Sequence, residues 1–175
     1  MDTSFRSIRP APGEYLEYYG TYIERVPDGD ILESMKQNLA ETLPLLRGIP
    51  ESKFDYRYAP GKWTVKDIVG HLADTERVFQ YRAWRFSRGD ETPVPGFDEN
   101  LYVANAPFAN VSMRDLIGEF ENLRRASMHL FENLDAAAMQ RRGKANNAEI
   151  SVRALAFILV GHVIHHNGVL KERYL

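Results

Sequence analysis

Apolar residues recur every three to four positions along four long stretches of the chain, and almost nowhere at every second position. Ile31, Met35, Leu39, Leu43 and Leu46 keep this spacing and predict a first helix, capped by Asp30. Pro44 falls inside it; with no N–H to donate, it is expected to kink the helix or break its last turn. A second helix opens at Trp63-Thr64-Val65-Lys66-Asp67-Ile68, where Thr64 caps, Asp67 reaches back to it and Trp63 packs on Ile68. Its inner face carries Ile68, Leu72, Thr75, Phe79 and Phe86, with His71 beside them, and Gly89 ends it. Val111-Ser112-Met113-Arg114-Asp115-Leu116 repeats the capping chemistry at the start of a third helix, which turns Leu116, Phe120, Leu123, Ser127 and Leu130 inward. A short helical turn is expected after Asp135. The fourth helix starts at Ser151 and lines up Leu155, Ile158, Leu159, His162, His166 and Val169. The pattern predicts no substantial sheet. It predicts an all-α four-helix bundle with a long loop between helices two and three.

The stretches between are also informative. Residues 1–29 are broken by Pro10, Pro12, Gly13, Pro27 and Gly29 and read as an irregular arm. Its Tyr15, Tyr18, Tyr19 and Tyr22 are expected to pack across the domain rather than face water. Residues 89–111 contain Pro93, Pro95, Gly96 and Pro107; loops of this length in compact domains are often functional. There is no internal repeat, and residues 1–175 are read as one domain.

Composition narrows the function classes. The chain is 44% hydrophobic and 26% charged, with a formal net charge of -2. It has no basic block, which argues against nucleic acid and anionic membrane as partners. It has no cysteine, so disulfides, thiolate ligands and cysteine nucleophiles are excluded. Residues 1–5 do not read as a signal peptide. The longest unbroken apolar stretch, Ala154 to Val160, is too short to span a bilayer, which needs about 20 residues. A cytoplasmic location is expected.

The candidate chemistry lies in histidine. Of five histidines, three fall in His162-Val163-Ile164-His165-His166. On a helix, His162 and His166 are one turn apart, about 6 Å of rise and about 40° of rotation, a spacing at which two imidazoles hold one transition metal. His71, on the second helix, is the best third ligand. Three histidines would leave open coordination positions, as catalytic sites do. His165 competes with His166 for the role, and His166 is favoured. Asp74, one turn from His71, is a candidate fourth ligand or catalytic base, or a solvated carboxylate. Glu76 is about 140° round the helix from His71 and is expected to pair with an arginine. Arg82 and Arg85 could grip an anionic substrate group, although their usual exposure favours surface ion pairs. His129 reads as an ordinary helix residue. There is no H-E-x-x-H, no Glu-x-x-His, no G-x-G-x-x-G and no P-loop.

Gly61-Lys62-Trp63-Thr64 leading to His71-Leu72, Gly89 to Phe97, and Gly143 through Ser151-Val152-Arg153 to Gly161-His162-Val163-Ile164-His165-His166 together resemble the DinB-like superfamily, of the DinB/YfiT type, from about Arg9 to the C-terminus. The resemblance implies a four-helix bundle, a homodimer, and one divalent metal, zinc or nickel, on His71, His162 and His166. It implies an enzyme acting on a small-molecule substrate. The first expectation is activation of a low-molecular-weight thiol, bacillithiol-like, for transfer to an electrophile held around Phe97 and Tyr102. A metal-dependent hydrolase using bound water, with Asp74 as base, is the alternative. A non-catalytic metal-binding dimer of the stress response is the third.

Overall fold

The computed structural model describes residues 2–175. A short helix in the N-terminal arm, Gly20–Ile23 (α1), precedes the long Ile31–Arg47 (α2) and Val65–Ser87 (α3). The two-turn Glu99–Asn105 (α4), the long Met113–Glu132 (α5) and the short Ala136–Gln140 (α6) follow. A hairpin, Arg142–Ala145 (β1) and Ala148–Ser151 (β2), leads into Val152–Val169 (α7), which closes in a π-helical turn, Leu170–Tyr174. The long helices α2, α3, α5 and α7 form a four-helix bundle.

Each of the four long helices, and the short α6, begins where a side-chain oxygen takes up a free N–H group. Asp30 accepts from Leu32 N at 2.7 Å, Ser112 from Asp115 N at 3.1 Å, Asp135 from Ala138 N at 2.7 Å and Ser151 from Ala154 N at 3.0 Å. Thr64 and Asp67 form the reciprocal capping box, at 3.0 and 2.8 Å. Gly89, at φ 77°, follows the last turn of α3, a backbone shape glycine adopts without strain.

The buried apolar residues fall into two clusters, one toward each end of the bundle. Along α2 and α7 the chain passes from the first cluster to the second; along α3 and α5 it passes from the second to the first. The helices therefore run up, down, down, up, and residues 88–112 must cross from one end to the other between α3 and α5. At the waist between the clusters, every long helix carries polar residues: Asn38, Thr75 and Glu76, Arg124 and Ser127, and His162, all buried.

Several expectations are corrected. The last turn of α2 is not broken at Pro44: the helix runs through it to Arg47. Pro44 and Ala40, whose carbonyl loses its partner, both face water, while Leu43 and Leu46 are buried on the other side. On α5, Leu123 and Leu130 are only half-buried, and Arg124 and Phe131 take the inner positions. The crossover is not plain loop: Asp98 caps α4, accepting from Asn100 and Leu101 N at 2.9 and 3.1 Å. The hairpin lies outside the helical pattern, because four-residue strands are too short to show a period. Its sequence signal is Asn146-Asn147, both at positive φ, 51° and 62°, the backbone of a tight two-residue turn.

The hairpin matters because it holds the crossover. Val94 N donates to Lys144 O at 2.9 Å, and Asn146 N donates to Val94 O at 3.2 Å. The arm is held as firmly: Glu14 is buried and accepts from Ser151 Oγ at 2.7 Å and from Arg153 Nη2 at 2.5 Å. A Cβ on Gly161 would lie 2.0 Å from Tyr22 O. Only glycine there lets α1 press onto α7. The arm is thus packed, as expected, although Tyr18 stays 63% exposed.

With its last turn, α7 spans Val152–Tyr174, long and apolar enough to cross a membrane by composition, unlike its unbroken apolar core; 72% of that window is buried inside the protein. α7 is the central helix of the bundle, apolar because other helices surround it.

Candidate metal centre

Helix α3 delivers His71, and α7 delivers His162 and His166, one turn apart. All three rings are buried, 5%, 6% and 9% exposed, and their ligand nitrogens lie within 4.8 Å of one another. His162 Nε2 is 3.0 Å from His71 Nε2 and 3.1 Å from His166 Nε2. Nitrogens around a tetrahedral ion with bonds of about 2.0–2.1 Å are about 3.3 Å apart, so the spacing suits an ion with a slight outward adjustment.

Hydrogen bonding does not satisfy this arrangement. A neutral imidazole nitrogen offers either one N–H or one lone pair, so His162 Nε2 cannot serve two nitrogen neighbours well. A cation among the three would take a lone pair from each. The rings are in the state that needs: burial pushes the His71 imidazole down from 6.5 to about 4, with His165 adding to the effect. Burial first, and then the neighbouring histidines, hold His162 and His166 well below the usual value. Aromatic rings wall the cluster: Trp63 lies 4.7 Å from His71, and Tyr22 5.4 Å from His162, between ring centres. The donor set is neutral, convergent and mostly buried, which fits a divalent transition metal.

The histidines sit in a cavity of about 440 Å³ whose walls include Tyr19, Tyr22, Phe79, Arg82, Gly96, Phe97, Asn146 and His165. The pinned crossover supplies Gly96 and Phe97. Tyr102 rests 5.5 Å from Phe97, ring centre to ring centre, but lines a separate depression.

The remaining candidates divide. His165 is half-buried and lines the cavity, 5.6 Å from Tyr22 between ring centres. Asp74 does not line it: its carboxylate bonds Arg77 at 3.2 Å, and burial raises its pKa against the pull of Arg77. His129 is exposed. Glu76 has its arginine, Arg124, at 2.9 Å, both almost fully buried. Arg85, half-buried, pairs with Asp90, as expected of an ion pair. Arg82 overturns the expectation of exposure: it is 3% exposed and lines the cavity. A signal for this existed, since 11 residues after His71 is three helical turns plus only about 20°. No comparable signal marks Tyr19, Tyr22 or Asn146, which reach the cavity from the arm and the hairpin turn.

Comparison with known proteins agrees with this picture. The family model described as the DinB superfamily matches residues 34–170. A protein of Oceanobacillus iheyensis named "Putative metal-dependent hydrolase OB0413" is 29% identical over 160 residues, 85% of this chain and 87% of its own length. The solved structure of YfiT from Bacillus subtilis, described as a probable metal-dependent hydrolase with an unusual four-helix bundle topology, superposes with a TM-score of 0.71 at 20% identity, covering 95% of this chain and 91% of that one.

Proposed function

The chain belongs to the DinB superfamily, and from that premise we propose that it is a metal-dependent hydrolase of a small-molecule ester or amide, with one divalent ion held by Nε2 of His71, His162 and His166. The observation that carries the reading is the convergence of these three neutral nitrogens within 4.8 Å at the wall of a cavity large enough for a small molecule. Similarity to a protein named as a metal-dependent hydrolase supports it. Zinc and nickel both suit such ligands. When bound, the ion supplies a Lewis acid and lowers the pKa of water toward neutrality.

The chain's own residues do the rest. Tyr22 and Trp63 fence the imidazoles and exclude bulk water from them. Phe79 and Phe97 give the substrate an apolar bed. His165, kept neutral by burial and by Arg25, would take the proton of the water that attacks the carbonyl carbon and return it to the alcohol or amine that leaves as the acyl bond breaks. Asp74 has no part in this account, because its carboxylate is committed to Arg77 outside the cavity.

A second reading is transfer of a small thiol, bacillithiol-like, to an electrophile in the same cavity. It is favoured by the lack of a carboxylate base among the clustered residues, since a thiol of pKa about 8.5 is already partly ionised near neutral pH. Protein loaded with zinc or nickel, incubated with a panel of esters and amides with and without added thiols, decides between them. Hydrolysis without thiol, lost on chelation, is the expected result. Turnover only with thiol moves the assignment to transfer. Tight metal retention with no turnover in either arm leaves the non-catalytic stress-response dimer. The cytoplasmic homodimer remains part of the proposal: exposed Tyr81 and Trp84, about half accessible, offer it an apolar face, and light scattering tests it.

A further inference from the structure

Arg82 is not explained by the metal centre. Its side chain leaves α3 about 16 Å along the axis from His71, on nearly the same face, and helical side chains lean toward the N-terminus, here toward the histidines. It is 3% exposed. Nη2 donates to Pro95 O at 3.0 Å, and the guanidinium carbon lies 5.2 Å from the centre of the Phe79 ring and 5.9 Å from that of Phe97. The Tyr19 phenol is beside it. Among the described residues no carboxylate pairs with it, in contrast to Arg77, Arg85, Arg124 and Arg153, each of which has one.

A guanidinium keeps its charge in proteins and presents five donors in a fixed fork. Burying it without a counter-ion is costly unless something anionic arrives. Arg82 forms part of the wall of the same cavity as the three histidines. The only carboxylate on that wall, Glu99, is exposed, at the start of α4, and belongs to the rim. Crossover and hairpin hold the fork in place through Pro95.

We infer that Arg82 is the anion-recognition residue of this cavity, and that the substrate is an elongated small molecule with a carboxylate at one end, an apolar middle and its reacting group at the other. The carboxylate docks on the Arg82 fork, the apolar middle lies against Phe79 and Phe97, and the reacting group reaches the histidines. The inference rests on the proposed function for what happens at the histidine end, but not for the anion site itself. Arg82 touches the substrate without touching the reacting atoms, so its signature is selectivity.

The test compares 3-phenylpropionate with its uncharged amide, 3-phenylpropionamide, by calorimetry and by quenching of Trp63, which lines the cavity. It uses the protein as purified with its metal and again after chelation. The carboxylate is expected to bind wild type at least tenfold more tightly than the amide, with and without metal. Arg82→Met should abolish that preference and leave amide binding in place; Arg82→Lys should retain part of it. Equal binding of the two ligands by wild type overturns the inference, and needs no variant to fold. So does a preference that survives Arg82→Met or vanishes on chelation, since the metal would then be the anion's partner. The two readings fail separately. Arg82-dependent anion binding without metal-dependent hydrolysis sinks the hydrolase alone. Hydrolysis indifferent to substrate charge sinks the anion site alone.

Discussion

Two polar groups of residues lie at the waist of the same bundle, and they differ in whether charge is paired with charge. Arg124 bonds outward to every other long helix: Glu76 on α3 at 2.9 Å, Asn38 Oδ1 on α2 at 3.2 Å and Leu159 O on α7 at 2.9 Å. Charge meets charge, and each of these Arg124 donors meets an acceptor, although Glu76 Oε1 makes no hydrogen bond of its own. The histidine group is as well buried but holds three neutral rings whose Nε2 atoms face one another, and the one on His162 cannot serve both neighbours. A charge-paired network ties a fold together; an open set of facing imidazole nitrogens suits an ion. Burial alone does not separate structure from function here. Complementarity within the group does.

Substitutions at the charge-paired network should produce the largest effects on folding. Arg124→Ala leaves the Glu76 side chain unpaired in the interior, and is expected to cost about 3–5 kcal/mol in urea unfolding. Replacing Arg124 and Glu76 together by methionine should recover most of that loss, because no stranded charge remains. If the single substitution costs no more than the double, Arg124 is not the tie it appears from its bonds.

Acid should distinguish the open group next. His71 titrates at about 4 in the folded chain against 6.5 unfolded, so between these values the unfolded state binds more protons. Stability of the metal-free protein therefore falls as pH drops from about 6.5 to about 4, by roughly 3 kcal/mol from His71 alone, and levels off below. Unfolding midpoints that stay flat across that window would contradict neutral, buried rings.

Removing a ligand should separate binding from folding. His162→Ala is expected to lower zinc or nickel retention, measured by elemental analysis after dialysis, by more than about 100-fold. Its stability should stay within about 1 kcal/mol of the metal-free wild type. Loss of folding with loss of metal would make the centre structural and erase the contrast with Arg124. The smallest effect belongs to Asp74→Ala. Its carboxylate pairs with Arg77 near the surface, so stability should change by less than about 1 kcal/mol, and metal-dependent turnover by less than about twofold. A larger loss of turnover would restore Asp74 to the mechanism.

Local patterning determined a good deal of this protein. The apolar spacing placed four helices, and the Asp30, Thr64, Ser112 and Ser151 caps fixed their starts, because capping and amphipathic spacing act over three or four residues. The one-turn pairing of His162 and His166 was equally local. His71 lies 91 residues from His162 and could be chosen from the sequence only as the best-placed remaining histidine; the up-down-down-up arrangement brings it to 3.0 Å. Tertiary structure decided that Arg124 is buried and that Arg82, although in helical phase with His71, is enclosed, since a buried charge depends on partners from other helices or on a cavity, neither of which a helical period records. It also decided that Asp74, one turn from a candidate ligand, lies off the cavity wall, and that an arm and a two-residue turn complete that wall. Those outcomes depend on which helix faces meet, and that is set by packing over the whole chain.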